Sequence, residues 1–364
     1  MGGCRPGWRK RLGLRLFADL YRERVAAHRL DTLFWECTLR CNLACRHCGS
    51  DCRAEGGIAD MPLADFLRVL DEEVTPQVDP RNVLVIFSGG EVLLREDLAE
   101  AGCEVSRRGY PWGMVTNGLL LTDERLRELV DAGLRSVSVS LDGPEAEHND
   151  LRRHPQSFAG ALAAIRRIVR YPALAFDVVS CVTERLLPRL GELRDLLIAE
   201  GVAEWRLFSI FPQGRAAADP TLQLSDAGFR ALLDFIRATR REGRIAANYA
   251  CEGFLGSYEA EVRDDFCQCA AGVSVASIRV DGAVLGCTSI RADYAQGNIY
   301  RDRFWEVWEQ RFGCYRDREW MRRGACGACE MFRYCRGGAM HLRDGQGELL
   351  CCHYRKLTNT DKRK

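Results

Sequence analysis

The chain lacks the long apolar run that a membrane-spanning helix requires. Its 364 residues contain no stretch of about 18 or more apolar residues. Net charge is nearly absent too, since 52 Lys and Arg residues stand against 51 Asp and Glu residues. A neutral chain has no global field that attracts nucleic acid, and the N-terminus has no apolar signal-peptide core. We therefore expect a cytoplasmic protein without a nucleic-acid partner and without membrane contact.

Internal repeats and low-complexity segments are absent as well, whereas cysteine is abundant. The chain contains 18 cysteines, which in a small secreted protein would indicate a disulfide framework. This chain is long and has no secretory signal, so we expect its thiols to be reduced. Clustered reduced thiolates in a cytosolic protein usually bind metal.

Strand-like and helix-like segments alternate over residues 31–214. The predicted strands are Leu33–Cys37, Val83–Phe87, Pro111–Thr116, Ser136–Ser140, Phe176–Val182 and Trp205–Ile210. The predicted helices are 63–74, 97–108, 123–132, 157–170, 189–200 and 225–242, with Asp123 and Ser225 as N-caps. Six β-α units in series predict an α/β fold, a parallel sheet with helices outside. Because a full eightfold barrel needs about 250 residues, a partial (β/α)6 TIM-like barrel fits better.

The expected organisation has four parts. They are a basic N-terminal helix (1–30), the partial barrel (31–244), a small cysteine-rich domain (245–354) and a basic tail (355–364). In the third part, residues 275–287 predict a β-hairpin with a tight Asp-Gly turn. 

The N-terminal segment has apolar residues at helical spacing, namely Leu12, Leu16, Leu20, Phe17 and Tyr21. A basic amphipathic helix can lie on a membrane or an acidic partner. We expect instead a helix that packs on the main domain and has a solvated basic face.

Three cysteines directly after the first predicted strand form the strongest chemical signal. Cys41, Cys45 and Cys48 have the spacing C-x3-C-x2-C, and so short a loop can place three thiolates around one iron–sulfur cube. One iron then lacks a protein ligand and can bind a substrate or cofactor. The alternative is zinc, for which His47 or Cys52 would be the fourth ligand.

This loop, at the start of a partial barrel, closely resembles the radical S-adenosylmethionine (radical SAM) enzymes over residues 31–214. The resemblance implies that Cys41, Cys45 and Cys48 hold a 4Fe-4S cluster whose fourth iron binds S-adenosylmethionine (SAM). It also implies reductive cleavage of SAM to a 5′-deoxyadenosyl radical, which abstracts hydrogen from a substrate. The expected cofactors are therefore SAM and 4Fe-4S clusters.

The resemblance further implies SAM contacts where the second and third strands end. Ser88, Gly89, Gly90 and Glu91 match the family's Gly-Gly-Glu motif. Its glycines let the backbone approach the methionyl ammonium closely. Asn117 is expected either to line the SAM pocket or to serve as a turn residue.

Later strands supply the remaining implied contacts. Ser140 and Asp142 correspond to residues near the SAM ribose. Arg152 corresponds to the partner of the SAM carboxylate, a task suited to a planar guanidinium; the adjacent Arg153 keeps a second register open. Val182 and Thr183 are weaker candidates for the adenine pocket.

A second cysteine pattern resembles the SPASM domain, which in full members holds two auxiliary 4Fe-4S clusters. By this resemblance, Cys326, Cys329, Cys335 and one of Cys351 and Cys352 hold the second auxiliary cluster. The first is assigned Cys269 and Cys287, with Cys267 as a third ligand. Residues 212–216 also resemble a Pro-x-Gly-Arg-Ala segment of this subgroup.

Ala339 stands where the SPASM pattern has a further cysteine. The first auxiliary cluster therefore either keeps an open iron or takes a replacement ligand. The candidates are Cys251, Cys314, the spare member of the Cys351/Cys352 pair, and water. Structural zinc is the alternative to a cluster.

The expected function is modification of a peptide or protein side chain by hydrogen-atom abstraction. The peptide substrate and a reduced flavodoxin- or ferredoxin-like electron donor are implied by the family alone. Residues 34–52 resemble a subgroup paired with small lipoproteins. The alternatives are a radical SAM enzyme of small-molecule cofactor biosynthesis and a non-catalytic, zinc-stapled binding protein.

The catalytic base stays unassigned. Sulfatase-maturing relatives carry an Asp after the second SPASM cysteine, whereas Thr288 follows Cys287 here. This difference disfavours formylglycine formation. We expect Glu252, Asp281 and Asp293 to be solvated loop residues.

Overall fold

A ten-stranded sheet forms the centre of the computed structural model, which describes residues 4–250, 253–266, 268–290 and 294–359. The strands are β1 (Thr32–Thr38), β2 (Leu84–Gly89), β3 (Trp112–Thr116), β4 (Leu134–Ser140), β5 (Ala175–Val182), β6 (Glu204–Ser209), β7 (Ala246–Tyr249), β8 (Val275–Ile278), β9 (Ala283–Leu285) and β10 (Gly297–Asn298). Their order is β10-β9-β8-β1-β2-β3-β4-β5-β6-β7. Strands β1 to β6 run parallel in sequence order, so the predicted six-strand core is confirmed.

The predicted barrel helices are observed with ends shifted by two residues or fewer. The helices are α1 (Trp8–Ala27), α2 (Leu63–Val69), α3 (Leu98–Arg107), α4 (Asp123–Asp131), α5 (Glu145–Arg152), α6 (Ser157–Ile168), α7 (Leu190–Ala199), α8 (Asp226–Glu242), α9 (Phe304–Gln310), α10 (Gly313–Arg316), α11 (Phe332–Cys335) and α12 (His353–Thr358). A π-helical turn, Leu70–Val74, extends α2 to the predicted end. Helix α5 was not predicted.

One of the two predicted N-caps is confirmed. Ser225 caps α8, because its hydroxyl accepts the backbone N–H of Gly228 at 2.9 Å. The prediction of Asp123 was wrong by one residue, since the Thr122 hydroxyl accepts the N–H of Arg125 at 3.1 Å. Thr and Asp are both good caps, and only the backbone geometry distinguishes the two positions.

An aromatic layer joins the sheet to its outer helices and fixes β1. Trp35 is fully buried and stacks on Phe66 of α2 with ring centres 4.5 Å apart. It also packs edge-on against Phe87 of β2, with ring centres 5.2 Å apart. Burying one such ring contributes about 1.5–3 kcal/mol. This packing positions the end of β1, from which the cysteine loop begins.

The predicted hairpin of the cysteine-rich segment is confirmed, and it joins the barrel sheet. Strands β8 and β9 pair antiparallel, and Gly282 in the turn has a φ of +82°. Strand β8 also pairs in parallel with β1, from Thr32 opposite Val275 to Trp35 opposite Ile278. Strand β7 adds to β6 at the other edge. The sheet therefore continues beyond residue 244.

Helix α1 packs on the cysteine-rich segment. Leu14 is buried beside Phe254 and Met331, and the hydroxyl of buried Tyr21 donates to the backbone carbonyl of Cys269 at 3.3 Å. Within the described residues, none of the helices has both the length and the apolar character needed to cross a membrane.

Candidate active site

The cysteine loop forms one wall of a cavity of about 310 Å³ at the carboxyl ends of the strands. Cys41, Cys45, Cys48 and Cys52 all line this cavity. Hydrogen bonding from Cys52 lowers the pKa of Cys48 to about 5, whereas burial raises the pKa of Cys41 to about 12. The structure thus brings the three predicted ligand thiols to one wall, with a fourth thiol beside them.

Arg215 anchors this loop from the segment after β6. Its Nε donates to the carbonyl of Cys45 at 2.7 Å, and its backbone N–H donates to the carbonyl of Cys48 at 3.0 Å. Its Nη1 also donates to the Asp51 carboxylate at 2.9 Å. Sequence reasoning noted residues 212–216 only as a family segment. It missed the anchoring role because Cys45 lies 170 residues earlier.

The Gly-Gly-Glu segment packs directly against the start of the cysteine loop. The N–H of Gly90 donates to the carbonyl of Thr38 at 2.8 Å, and the N–H of Glu91 donates to that of Arg40 at 2.9 Å. A Cβ on Gly89 would lie 2.0 Å from the Thr38 oxygen, and one on Gly90 would lie 2.1 Å from the Arg40 oxygen. The glycines are therefore required by this close approach, and these two amides are already bonded within the chain.

Glu91 is fully buried and braces β2 against β3. Its carboxylate accepts the Thr116 hydroxyl at 2.7 Å, the N–H of Asn117 at 2.7 Å and the N–H of Leu93 at 3.1 Å. Burial raises the pKa of Glu91, and these donors counteract the increase. Although Glu91 borders the cavity, both of its oxygens are occupied by the protein itself.

Asn117 lines the cavity and also forms a turn. Its Oδ1 accepts the N–H of Leu119 at 3.0 Å, and its Nδ2 donates to Oδ1 of Asn42 at 2.8 Å. It therefore ties the end of β3 to the cysteine loop.

The two predicted serines lie at different places. Ser140 lines the main cavity. Ser88 lines a neighbouring cavity of about 180 Å³ instead, together with Thr288. The position after Cys287 therefore faces the site region, but it presents a hydroxyl rather than a carboxylate.

Asp142 and Arg152 form a buried ion pair beside the cavity. Nε of Arg152 donates to Asp142 at 2.6 Å, and the N–H of Cys181 donates to the other carboxylate oxygen at 2.9 Å. Burial would raise the pKa of Asp142, but the charge of Arg152 holds it below its usual value. Arg152 lines the cavity and its Nη1 lies 3.9 Å from Sγ of Cys45. The carboxylate thus orients the guanidinium toward the cysteine loop.

Helix α5 carries Arg152, and His148 of the same helix joins it to the segment that follows β4. Nδ1 of His148 accepts the N–H of Asp142 at 2.9 Å, and Nε2 contacts the Ser157 hydroxyl at 2.9 Å. Burial lowers the pKa of His148 to about 4. The neighbouring Arg153 adopts a left-handed conformation after the helix and does not line the cavity. Arg152 does line it, so Arg152 is the arginine that reaches the site.

Two buried polar atoms on the cysteine loop have no hydrogen-bond partner in the described part of the chain, His47 Nδ1 and Asn42 Nδ2. Buried polar groups left unpaired are costly. His47 lines the cavity, so its unpartnered nitrogen fits a wall that a polar ligand completes. Val182 points away from this cavity into the core, whereas Val179 and Cys181 line it. Successive side chains of a strand point to opposite faces of the sheet, so Val179 and Cys181 share one face of β5 and Val182 lies on the other.

The second cysteine group gathers four thiols in the cysteine-rich segment. Burial raises the pKa of Cys335, and the nearby thiolates of Cys352, Cys326 and Cys329 raise it further. The pKa of Cys352 is raised by burial and again by Cys326 and Cys329. For Cys351, burial raises the pKa to about 11, and among the described cysteines the one that acts on it is its neighbour Cys352. Among the described cysteines, Cys352 is therefore the member of the pair whose pKa is coupled to Cys326, Cys329 and Cys335.

We predict that Cys352→Ala removes the iron held by this group, about four irons per chain. Cys351→Ala is the matched control and should retain the iron of wild type. Iron and sulfide are counted on anaerobically purified protein. The reverse outcome, with iron lost only in the Cys351 variant, would contradict the placement.

The first auxiliary site is only partly within the described residues. Cys269 and Cys287 lie close enough for the Cys269 charge to raise the pKa of Cys287, after the larger effect of burial. Arg318, itself buried, donates to the carbonyls of Gly338 at 2.8 Å and Cys269 at 3.4 Å. Ala339 is therefore held near Cys269, but it offers no thiol. Cys251 and Cys267, like Glu252 and Asp293, lie outside the described residues.

Cys314 lies near this region, since its charge acts on Tyr315 together with those of Cys287 and Cys269. Burial raises its pKa, and the groups that lower it include the side chain of Gln296 and the charge of Arg318. Asp281 pairs with Arg279 at the hairpin turn. Neither Cys314 nor Asp281 lines the main cavity.

Two family models match the chain. The Radical SAM superfamily model covers residues 35–176, and a SPASM model, described as an iron-sulfur cluster-binding domain, covers residues 269–331. Mycofactocin maturase MftC of Mycobacterium ulcerans is 30% identical over 86% of this chain and 84% of its own length. AdoMet-dependent heme synthase of Oleidesulfovibrio alaskensis is 27% identical over 83% of this chain and 81% of its own length. PqqA peptide cyclase of Rhodopseudomonas palustris is 29% identical over 81% of this chain and 78% of its own length.

Solved structures show the same fold. Native anSMEcpe with bound AdoMet and Cp18Cys peptide matches with a TM-score of 0.68 and 18% identity, over 91% of this chain and 96% of that chain. Streptococcus suis SuiB bound to S-adenosylmethionine matches with a TM-score of 0.67 and 16% identity, over 86% of this chain and 73% of that chain.

Proposed function

Because this chain belongs to the radical SAM superfamily and carries a SPASM iron–sulfur domain, we propose that it modifies a side chain of a peptide or protein. Membership makes it an enzyme that uses SAM, a 4Fe-4S cluster and auxiliary iron–sulfur clusters. The non-catalytic, zinc-stapled alternative is thereby excluded.

The observation that carries the proposal is the position of the main cavity. Cys45 and its neighbours form one wall, and Ser289, two residues after Cys287, also lines it. The N–H of Ser289 donates to Sγ of Cys287 at 3.5 Å. The cavity therefore reaches from the barrel cysteines to the SPASM cysteines, which leaves room for a substrate between the two cluster sites.

The residues around this cavity fit the expected cofactors. Cys41, Cys45 and Cys48 would hold the barrel cluster, and the unpartnered His47 Nδ1 fits a wall that a bound ligand completes. When bound, the cluster and SAM supply a radical that abstracts a hydrogen atom from the substrate. Arg152 would bind the SAM carboxylate while Asp142 holds its guanidinium in place.

Glu91, Asn117 and Arg215 hold the wall rigid through bonds within the chain. Glu91 is the only carboxylate among the described residues of the cavity wall, and its oxygens are already bonded. We assign no general base to this wall. Hydrogen-atom abstraction takes the proton and one electron together, so this first step needs no general base.

Cys326, Cys329, Cys335 and Cys352 would hold an auxiliary cluster. Arg343 supports this assignment, because it is buried and its Nη2 donates to Sγ of Cys326 at 3.4 Å. Its other hydrogen-bond acceptors are backbone carbonyls, such as Gly347 at 2.8 Å, and its guanidinium lies 5.9 Å from the Trp320 ring centre. No carboxylate among the described residues pairs with it. A buried cation without a carboxylate partner fits an anionic cluster.

We predict that Arg343→Met lowers the reduction potential of this auxiliary cluster. Loss of a nearby positive charge and a sulfur hydrogen bond disfavours the reduced form; for a one-electron couple the fall should be roughly 60–120 mV. EPR-monitored redox titration measures it. Arg343→Lys should shift the potential less, and Arg323→Met, at an exposed nearby arginine, should leave it unchanged. An unchanged potential in Arg343→Met with full iron would contradict the role.

The names of mycofactocin maturase and PqqA peptide cyclase support a peptide substrate. The heme synthase relatives favour a second candidate, modification of a small-molecule cofactor precursor. A reduced flavodoxin- or ferredoxin-like protein would supply electrons to either reaction.

The test is SAM cleavage under anaerobic reduction, followed by substrate comparison. Wild type should form 5′-deoxyadenosine, and peptides encoded beside its gene should stimulate this reaction and change in mass. An iron porphyrin is the comparison substrate. Porphyrin conversion without any peptide effect would overturn the peptide proposal, and no SAM cleavage by the iron-loaded protein would overturn both candidates.

A further inference from the structure

A narrow crevice of about 20 Å³ borders both groups of auxiliary thiols. Cys269 of the first auxiliary site and Cys335 of the second both line it, together with Arg318 and Gly338. A space of this size holds about one water molecule. The two auxiliary sites therefore share one boundary, and the element that closes this boundary shields both of them.

Helix α1 forms the remaining wall of the crevice. Leu14 and Tyr21 are the two buried side chains of this helix, and both line the crevice. The half-buried Phe17 and Ala18 lie on the same face and line it as well, and Phe17 also packs on Phe266 with ring centres 5.5 Å apart. The face that α1 buries is therefore the face that closes the crevice.

Tyr21 contacts both auxiliary segments. Its hydroxyl donates to the backbone carbonyl of Cys269 at 3.3 Å. The guanidinium of Arg336, which follows Cys335 in sequence, lies 5.9 Å from the centre of the Tyr21 ring. The ring thus spans the gap between the segment of Cys269 and the segment of Cys335.

Contacts near both ends hold α1 in place over this gap. Near its start, Nζ of Lys10 pairs with Glu261 at 2.7 Å. At its end, the backbone carbonyl of His28 accepts the indole N–H of Trp308 at 3.2 Å. Helix α1 is therefore a fixed wall of the crevice rather than a mobile lid.

We propose that α1 insulates the auxiliary clusters, with Tyr21 and Leu14 excluding water and dissolved oxygen from the crevice between Cys269 and Cys335. Solvent exposure is one of the factors that set the reduction potential of an iron–sulfur cluster, because water stabilises the more highly charged, reduced form. Oxidation of thiolates likewise follows their exposure. This role depends on the auxiliary clusters alone and not on the identity of the substrate.

Air exposure of the full-length, iron-loaded protein tests the proposal. All variants are made in the Cys45→Ala background, so that the iron counted belongs to the auxiliary sites. Tyr21→Ala should release this iron at least about tenfold faster than its parent, since the crevice is then open to solvent. Leu14→Ala opens the same wall at a second position and should behave alike. Leu20→Ala, which truncates an exposed leucine of the same helix, is the matched control and should release iron at the rate of the parent.

Redox titration monitored by EPR is the second readout. Tyr21→Ala should raise the potential of the auxiliary clusters by about 60 mV, a tenfold change in a one-electron equilibrium. Tyr21→Phe keeps the ring but loses the hydrogen bond to Cys269, and it should match the parent in both readouts.

Three results would overturn the proposal. The first is iron release and a potential equal to those of the parent in both Tyr21→Ala and Leu14→Ala. The second is a Tyr21→Phe variant as labile as Tyr21→Ala, which would assign the effect to the hydrogen bond rather than to the ring. The third is equal lability of Leu20→Ala, which would show a general loosening of α1.

Discussion

Replacing Cys45 with alanine is expected to abolish SAM cleavage and to remove about four irons per chain. Its thiol is one of three on the cavity wall, and two thiolates cannot hold a cluster that already leaves one iron open. Arg215 bonds the backbone carbonyl of Cys45, so alanine keeps the anchor of the loop. Formation of 5′-deoxyadenosine should fall below about one-thousandth of the wild-type rate, which corresponds to an activation barrier raised by more than about 4 kcal/mol.

The control is Cys103→Ala, which alters a half-buried cysteine of α3. It should keep the iron content and activity of wild type. The Cys45 variant should also retain the iron of the SPASM domain, because those ligands lie on separate segments. Activity above one-tenth of wild type in Cys45→Ala would refute its role as a cluster ligand.

Replacing Gly90 with alanine is expected to displace the cysteine loop. The added Cβ would lie 2.1 Å from the Arg40 oxygen, and a backbone atom cannot rotate away as a side chain can. Overpacking usually costs about 1–3 kcal/mol, and a clash between two backbone segments should exceed that. We expect a lower midpoint of thermal unfolding and loss of the barrel iron, measured by calorimetry and iron analysis.

Gly191→Ala is the matched control for this substitution. Nothing lies within 4 Å of a Cβ at Gly191, which is in α7. Alanine in a helix is favoured over glycine by about 1 kcal/mol, so this variant should be as stable as wild type or more stable. Equal behaviour of the two variants would show that the close approach at Gly90 has no structural role.

The six barrel strands could be predicted because each is a short apolar run that ends in small or polar residues. Helix α5 was missed because Glu145–Arg152 is polar and short, so it has no clear apolar periodicity. Its position depends on His148 and Asp142, which meet only after β4 and the helix have folded.

The clustering of three thiols in the cysteine loop could also be predicted, because these cysteines are close together in sequence. The choice between Cys351 and Cys352 could not be predicted, because the two cysteines are adjacent in sequence. Only the folded backbone determines which thiol has the other cysteines as electrostatic neighbours. Glu91 shows a different limit. The family resemblance implied a SAM contact for it, but could not show that its carboxylate also accepts three hydrogen bonds from the chain itself.

The pairing of β8 with β1 has a consequence for anyone who divides this chain. A fragment cut after Glu242 would keep β1 but lose the strand that covers its free edge. An uncovered edge strand presents unpaired N–H and C=O groups and templates aggregation. The barrel is therefore not a transplantable module: a chimera that exchanges the cysteine-rich segment must supply a replacement strand at this edge to remain monodisperse.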